Sequence, residues 1–155
     1  MTRLEAGDTA PAFDLPTEGG GRINLAGLQG RKVVLYFYPK DDTKGCTLEA
    51  IDFTAHLPGF TAAGAEVIGV SPDSPRSHDN FKSKHSLGLT LASDVDRAII
   101  GRYGLWVEKS NYGRKYMGVE RATFLIDEKG KIVRAWHGVR VKGHPEAVLA
   151  ALQSL

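Results

Sequence analysis

Extended apolar runs alternate with amphipathic stretches along most of the chain. Val33–Tyr38 is an unbroken run of β-branched and aromatic residues, which is typical of a strand buried on both faces. Val67–Val70 is a second, shorter run of the same kind. Arg121–Asp127 and Lys131–Trp136 are joined by the turn sequence Asp127-Glu128-Lys129-Gly130, which predicts a hairpin. These segments predict the strands of a central sheet.

The segments between and after these strands have helical patterns. Thr47–Leu57 has apolar residues at the i, i+3 and i+7 positions of one helical face, and Pro58 predicts the end of that helix. Ser77–Lys84 and Asp94–Tyr103 predict two further helices. Pro145 predicts the first turn of a C-terminal helix that runs through Leu152. The apolar positions at helical spacing are Leu48, Ile51 and Ala55 in the first helix and Val148, Leu149 and Leu152 in the last.

The order of these elements indicates a fold class. A strand, helix and strand followed by a hairpin and a closing helix predict a mixed β-sheet with helices on both faces. Before the sheet, Gly19–Gly21 predicts a turn between short extended segments, and therefore an N-terminal hairpin extension. The length of 155 residues suits one domain, so we expect a single α/β domain over residues 1–155.

Composition and charge exclude several classes of protein. Apolar residues make up 42% of the chain and charged residues 25%, which excludes disordered and collagen-like chains. The net charge of +2 predicts no nucleic-acid partner and no membrane surface as partner. The apolar runs are too short for a bilayer span, and Met1–Asp8 lacks the apolar segment of a signal peptide. We therefore expect a cytoplasmic protein.

The cysteine count restricts the chemistry. A single cysteine, Cys46, excludes an internal disulfide, a Cys-x-x-Cys redox pair and a cysteine-based zinc site. The 5 histidines show neither His-x-x-x-His nor His-Glu-x-x-His spacing, so we expect no metal. Gly-x-Gly-x-x-Gly and Walker sequences are missing as well, so we expect no nucleotide cofactor.

The surroundings of Cys46 indicate a reactive thiol. Cys46 follows the strand Val33–Tyr38 and opens the next helix, and ligands of α/β folds gather outside the carboxyl ends of strands. Unpaired N–H groups and the positive end of the helix dipole stabilise a thiolate there. The alternative is a buried structural cysteine that behaves as a small hydrophobe. The neighbouring Pro, Thr, Lys and Gly residues are typical of a turn and favour the reactive thiol.

The segment around Cys46 resembles the active site of peroxiredoxins. Pro39-x-x-x-Thr43-x-x-Cys46 matches the motif of that family, and Tyr36-Phe37-Tyr38-Pro39-Lys40-Asp41-Asp42-Thr43 is similar to its peroxiredoxin Q (bacterioferritin comigratory protein) branch. Further matching segments follow in order along nearly the whole chain, among them Gly7-Asp8-Thr9-Ala10-Pro11-Ala12-Phe13, Gly69-Val70-Ser71 and Arg121-Ala122-Thr123-Phe124-Leu125. The resemblance implies a thioredoxin-like fold and thiol-dependent reduction of hydrogen peroxide and organic hydroperoxides.

The resemblance also implies a role for each matched residue. Cys46 is the nucleophile that attacks the peroxide, and Thr43 offers its hydroxyl to the thiolate and to the substrate. Arg121 neutralises the thiolate and orients the peroxide. Pro39 shields the thiolate from water, and Glu49 is a supporting hydrogen-bond partner.

Each of these roles has a structural alternative. Thr43 is a favoured helix N-cap residue, and Arg121 could be an ordinary surface arginine on a strand. Pro39 would end a strand in either case. Glu49 could simply interact with the helix dipole.

The chain departs from many relatives because it lacks a resolving cysteine. Relatives have that cysteine at the position of Ile51 or on the following helix, here Pro75–Ser86, and neither contains a cysteine. A sulfenic acid on Cys46 therefore cannot close an internal disulfide. We expect an external thiol such as thioredoxin, glutaredoxin, glutathione or a small thiol to resolve it, in a monomer or weak homodimer. The alternative function is a peroxide sensor or holdase-type chaperone with little turnover.

Overall fold

The computed structural model describes residues 3–155, and these residues form strands and helices in alternation. The strands are β1 (Asp14–Pro16), β2 (Arg22–Asn24), β3 (Lys32–Phe37), β4 (Ala65–Ser71), β5 (Thr90–Ser93), β6 (Trp106–Asn111), β7 (Arg114–Val119), β8 (Ala122–Ile126) and β9 (Ile132–His137). The α-helices are α1 (Lys44–Ala62), α2 (Pro75–His85), α3 (Ala98–Arg102) and α4 (His144–Gln153).

A five-stranded mixed sheet with the order β5-β4-β3-β8-β9 forms the centre. Strands β3, β4 and β5 are parallel, whereas β8 is antiparallel to both β3 and β9. The predicted hairpin around Asp127–Gly130 is therefore confirmed. The predicted turn at Gly19–Gly21 is confirmed too, because it joins the antiparallel pair β1 and β2.

Helices and chain segments cover both faces of this sheet, as the element order predicted. Residues of β3 alternate between two cores: Leu35 and Phe37 face a cluster that includes α3, and Val34 and Tyr36 face a cluster that includes α1 and α4. The predicted burial of this strand on both faces is confirmed, since all its residues from Val33 onward are at most 1% exposed. Burial of each such side chain contributes about 1.5–3 kcal/mol to stability.

Helix α1 differs from the prediction at both its length and its buried face. It passes through Pro58 and ends at Ala62, because Phe53 and Phe60 are fully buried on either side of the proline and hold it against the core. Leu48 and Ile51, predicted to face the core, are 53% and 42% exposed. The buried face instead consists of Cys46, Glu49, Ala50, Phe53 and Phe60.

Other boundaries also differ from the sequence prediction. Only Ala98–Arg102 of the predicted helix Asp94–Tyr103 is helical, because the Asp94 carboxylate accepts hydrogen bonds from the backbone N–H groups of Ile99 and Ile100. Strand β5 and the hairpin of β6 and β7 were not predicted. The exposed polar residues of β6 and β7 hide the alternation that is typical of a strand. Helix α4 agrees with the predicted C-terminal helix to within one residue at either end.

The strand register brings two distant segments to one edge of the sheet. Phe37, at the end of β3, pairs with Ala122, at the start of β8. The loop of residues 38–43, which leads from β3 to α1, therefore lies beside Arg121. We call residues 38–43 the Cys46 loop.

Candidate active site around Cys46

Cys46 lies in the first turn of α1, as the sequence predicted. The helix begins at Lys44, and Thr43 precedes it with an extended backbone. The thiol is free and the residue is only 2% exposed. Burial is the feature expected of a structural cysteine, so the contacts of the sulfur decide between the two interpretations.

The main contact of the sulfur is with Arg121. The Nη2 group of Arg121 donates to the Cys46 Sγ atom at 3.3 Å, and Nη1 donates to Glu49 Oε1 at 2.6 Å. A cation that donates to the sulfur stabilises its thiolate form. Burial alone would lower the pKa of Arg121, but the charges of Glu49 and Cys46 raise it above its usual value. Arg121 is not a surface arginine, since its side chain is 16% exposed.

Gly45 makes room for this guanidinium group. A Cβ atom at position 45 would lie 3.3 Å from Arg121 Nη2 and 3.9 Å from a methyl group of Val141. The backbone of the first turn of α1 therefore packs directly against the arginine. The sequence motif includes Gly45, but its spacing gave no reason to assign it a role.

Glu49 is fully buried beside Arg121. Burial raises the pKa of Glu49 from its usual 4.5 to about 7, although the charge of Arg121 and its hydrogen bond lower it. Within residues 3–155, its Oε2 atom has no hydrogen-bond partner, and neither has the buried hydroxyl of Tyr36. Burial and the charges of Glu49 and Cys46 raise the pKa of Tyr36, so this phenol stays neutral. Glu49 thus supports Arg121 rather than acting only on the helix dipole.

Thr43 and Pro39 lie in the Cys46 loop but do not contact the sulfur in this structure. The Thr43 hydroxyl donates to the carbonyl oxygen of Lys40 at 2.8 Å, and it does not cap α1. The hydroxyl is exposed, so rotation about one bond frees it for a substrate. Pro39 is half-buried directly after β3 and Tyr38. The structure thus brings Cys46, Arg121 and Glu49 together and places Thr43 and Pro39 nearby.

Comparison with known proteins identifies the family. Residues 6–135 match the AhpC/TSA family. The chain belongs to this family. It is 48% identical over 149 residues to a putative peroxiredoxin bcp of Coxiella burnetii, a match that covers 96% of this chain and 99% of that protein. The chain is therefore an enzyme, a thiol-dependent peroxidase of the peroxiredoxin family.

Solved structures support the same assignment within the family. Peroxiredoxin Q of Xanthomonas campestris superposes with a TM-score of 0.87 at 46% identity, over 92% of this chain and 90% of that one. A cysteine-to-serine mutant of Xylella fastidiosa PrxQ superposes with a TM-score of 0.93 at 37% identity, over 99% of this chain and 98% of that one. The resemblance to peroxiredoxin Q and the expected thioredoxin-like fold are confirmed.

A second polar cluster in this peroxiredoxin joins the Cys46 loop to α2. Asp41 accepts hydrogen bonds from the Tyr38 hydroxyl at 2.6 Å, from the Ser77 hydroxyl at 2.8 Å and from His78 Nδ1 at 2.8 Å. The backbone N–H of Asp41 donates to Asp73 at 2.8 Å. This cluster was not predicted from the sequence. The one feature that could have indicated it is the carboxylate of Asp41, which lies within the motif close to Cys46. Nothing in the sequence of α2 marks His78.

His144, the first residue of α4, lies close enough to the peroxiredoxin site for the charge of Arg121 to affect it. His144 and the Thr123 hydroxyl are 2.7 Å apart and both are buried. Burial, followed by the charge of Arg121, lowers the pKa of His144 from 6.5 to about 4. His144 is therefore neutral near pH 7. No sequence pattern marked this histidine as part of the site.

Within residues 3–155, none of the helices has both the length and the apolar character needed to cross a membrane. The same residues contain no group of three or more His, Cys, Asp or Glu side chains arranged to hold a metal ion.

Proposed function

We propose that Cys46 is the nucleophile that reduces peroxides in this enzyme. The Cys46 thiolate attacks one peroxide oxygen, the O–O bond breaks, and a sulfenic acid forms on the sulfur while the other oxygen leaves as an alkoxide or hydroxide that takes up a proton. The observation that carries this proposal is the Arg121 guanidinium, which donates to the Cys46 sulfur at 3.3 Å. A cation with several N–H groups can hold both the thiolate and the attacked oxygens.

Glu49 acts in this proposal as a positioning residue for Arg121. The bond between Arg121 Nη1 and Glu49 Oε1 is 2.6 Å long and lies away from solvent. It fixes one edge of the guanidinium group and leaves Nη2 to face the sulfur. Positioning of this kind matters because a small displacement of a catalytic group costs a large factor in rate.

Thr43 and Pro39 complete the proposed site. When a peroxide binds, the Thr43 hydroxyl turns from Lys40 and donates to the substrate or accepts from it. Pro39 has no N–H group, so it covers the sulfur without offering a competing donor. Their placement in the loop before α1 supports both roles.

We propose that the substrates include organic hydroperoxides as well as hydrogen peroxide. Alkyl peroxide reduction is described for the Xanthomonas campestris bacterioferritin comigratory protein, which is 46% identical over 92% of this chain. The peroxiredoxin relatives favour turnover over a sensor or chaperone function. Rates with hydrogen peroxide and with cumene hydroperoxide would define the preference.

The reductant is proposed to be an external thiol. Cys46 is the only cysteine of the chain, so its sulfenic acid must react with a thiol from another molecule. Thioredoxin, glutaredoxin and small thiols are the candidates. A working thiol also fits a compartment that keeps thiols reduced, which supports a cytoplasmic location.

We propose a monomer or weak homodimer. The exposed large hydrophobic side chains lie on separate elements, with Leu48 and Ile51 on α1 and Tyr116 and Met117 on β7. An obligate dimer would need a larger continuous apolar interface. Light scattering after size exclusion would measure the mass in solution.

Intact-mass measurement tests the nucleophile and its resolution together. One equivalent of peroxide without reductant should add one oxygen atom, rather than remove two hydrogens as an internal disulfide would. Excess peroxide should then produce the sulfinic acid, and a dithiol added beforehand should prevent this. Cys46→Ser should fold and show no turnover. Peroxide consumption by the serine variant would contradict the assignment.

A cysteine at position 51 gives a complementary test. Ile51→Cys should form an internal disulfide only after the start of α1 unwinds, because five residues of helix rise about 7.5 Å and a disulfide spans at most ~7 Å between Cα atoms. That variant should resist overoxidation. The unmodified protein proving equally resistant would argue against a long-lived sulfenic acid.

A further inference from the structure

Basic side chains lie around the approach to Cys46. Lys44 is exposed in the first turn of α1. The next residue of that turn packs near Val141, since a Cβ atom at position 45 would lie 3.9 Å from a Val141 methyl group. Arg140 and Lys142 flank this valine in the chain, and both are exposed. Three cations from two distant segments are therefore brought to one side of the site.

A fourth cation, Lys109, approaches the site from the hairpin of β6 and β7. Lys109 pairs with Tyr116 across the hairpin, and its side chain passes over Gly118 on the same face. A Cβ atom at position 118 would lie 3.1 Å from Lys109 Cδ and 3.5 Å from Lys109 Cε. The lysine thus occupies space that a larger residue at position 118 would fill. We call Lys44, Lys109, Arg140 and Lys142 the basic rim.

Lys109 lies close enough to the reacting sulfur to interact with it electrostatically. It is half-buried, whereas Glu108 and Ser110 on either side of it are exposed. Burial lowers the pKa of Lys109, and the charge of Arg121 lowers it further, whereas the charge of Cys46 raises it. Charges much farther apart would be screened by solvent and salt. The ammonium group of Lys109 therefore contributes to the potential around Cys46.

The basic rim is not neutralised by ion pairs. Within residues 3–155, none of its four members forms an ion pair with a carboxylate. The charge of Glu120 also raises the pKa of Lys109, but this carboxylate binds an arginine at 2.7 Å. Glu49 binds another arginine at 2.6 Å. Glu108 faces away from Lys109, because adjacent residues of a strand point to opposite sides. The rim therefore gives the approach to the site a positive potential.

This potential affects the thiol that reduces the enzyme. The thiolate of a reductant must contact the sulfur of the sulfenic acid directly. Because Cys46 is 2% exposed, a thiol at the end of a small molecule suits the narrow approach. Positive charge around a cleft concentrates negatively charged molecules there and raises their association rates. The rim therefore favours a small thiol that carries a carboxylate or sulfonate group.

We infer that the basic rim selects small anionic thiols as reductants of the Cys46 sulfenic acid. The inference rests on the proposed function of Cys46. In the first step, the sulfur of the thiolate bonds to the Cys46 sulfur while the S–O bond breaks, and the leaving hydroxide takes up a proton to become water. A second thiolate then attacks the sulfur of the attached thiol. This attack releases a symmetrical disulfide and restores the Cys46 thiolate. In both steps the rim attracts the anionic group of the incoming thiol.

Two substitutions change the half-buried cation of the rim. Lys109→Met keeps an unbranched side chain and removes the charge. Gly118→Ala keeps the charge but displaces the lysine by the contact at 3.1 Å. The matched control is Lys115→Met, because Lys115 pairs with Ser110 and is exposed on the opposite face of the same hairpin. This control lowers the net charge of the protein by the same amount as Lys109→Met.

Three thiols with the same two-carbon skeleton test the selection. 2-Mercaptoethanesulfonate has an anionic group, 2-mercaptoethanol has a neutral group and cysteamine has a cationic group. At equal thiolate concentration, the first should reduce the wild-type sulfenic acid fastest and the last slowest, and high salt should weaken this order. Lys109→Met should lower the ratio of the sulfonate rate to the mercaptoethanol rate by about two- to fivefold, the effect of one exposed ion pair. Lys115→Met should leave the ratio unchanged.

Alkylation of reduced Cys46 tests the rim without peroxide. Iodoacetate is anionic and iodoacetamide is neutral, so the ratio of their rates reports the charge around the sulfur. The iodoacetamide rate alone corrects for any change in the pKa of the thiol. The ratio should fall in Lys109→Met, and by a smaller factor in Gly118→Ala.

Two results would overturn the inference. One is an alkylation ratio in Lys109→Met equal to that in Lys115→Met, and the other is equal reduction of the wild type by the anionic and the neutral thiol. A wild-type Cys46 that peroxide does not oxidise would refute the proposed function instead, and alkylation would still test the charge of the rim.

Discussion

Arg121 Nη2 lies 3.3 Å from the Cys46 sulfur, although the two residues are 75 positions apart in the chain. The contact exists because Phe37 and Ala122 pair in the central sheet, so that the loop after β3 and the residue before β8 meet at one edge. The same arginine is held from behind by Glu49. Most of the expected behaviour of the enzyme follows from this three-residue arrangement.

Removal of the arginine should slow the attack on peroxide. Arg121→Ala deletes the donor to the sulfur and to the substrate, and loss of such a donor typically costs about 10²–10³-fold in rate. Arg121→Lys keeps the charge but not the planar pair of donors, so it should restore little of the rate. Stopped-flow measurement of Cys46 oxidation gives the rates. The control is Arg134→Ala, because Arg134 has no role in the site. Its Cζ atom lies 4.8 Å from the centre of the Trp136 ring. Oxidation of Arg121→Ala at the wild-type rate would refute the role.

The Thr43 hydroxyl should increase the rate of Cys46 oxidation by contacting the substrate, and it should add little to the stability of the fold. Thr43→Val keeps the shape of the side chain and removes the hydroxyl, and we expect oxidation of Cys46 to slow by about 10²–10³-fold. Thr43→Ser should retain most of the rate. Thermal unfolding should hardly change, because the hydroxyl bonds only the Lys40 carbonyl oxygen and does not cap α1. A wild-type rate in Thr43→Val would refute the role of the hydroxyl, and equal losses in the serine and valine variants would show that the methyl group matters as much as the hydroxyl.

A methyl group at position 45 should displace the arginine. In Gly45→Ala the new Cβ atom would lie 3.3 Å from Arg121 Nη2, so the guanidinium must shift by a few tenths of an ångström. We expect oxidation to slow by up to about tenfold, less than the ~10²-fold cost of a full ångström. Gly101→Ala on α3 is the control, because a Cβ atom there meets nothing within 4 Å. A rate for Gly45→Ala equal to that of Gly101→Ala would mean that the arginine tolerates displacement.

The pKa of Glu49 predicts a pH dependence of stability. Folded Glu49 keeps its proton up to about pH 7, whereas in the unfolded chain it releases the proton near its usual 4.5. Between these values the unfolded state binds fewer protons, so the contribution of Glu49 to the free energy of unfolding falls as the pH rises from about 4.5 to 7.

Glu49→Gln isolates this contribution. Urea unfolding gives the free energy of unfolding of the wild type and of the variant. As the pH rises from about 4.5 to 7, the wild type should lose stability relative to Glu49→Gln. The two proteins must be compared at each pH because His144 changes the stability of both with pH in the opposite direction. Its pKa is lowered to about 4, so its contribution to stability is lost as the pH falls from 6.5 towards 4. A difference between wild type and Glu49→Gln that is constant with pH would show that Glu49 stays ionised.

The sequence alone determined the features that depend on neighbouring residues. The buried strand predicted over Val33–Tyr38 and observed over Lys32–Phe37, the hairpin of β8 and β9 and the position of Cys46 in the first turn of a helix were all predicted correctly, the strand to within one residue at either end. Each rests on a short contiguous pattern, an apolar run, a turn sequence or a family motif, whose physical effect is local. The motif also identified Arg121 and Glu49, which the structure places together with Cys46.

Tertiary structure decided the features that join distant segments. Pro58 does not end α1, and Ile51 faces solvent, because packing of Phe53 and Phe60 outweighs local preference. The contacts of Arg121 with Cys46 and of Asp41 with His78 depend on how strands and helices assemble. A sequence pattern reports which residues favour a helix or strand, but the partner of a buried charge is set only when the sheet register and helix packing bring two segments within hydrogen-bond distance.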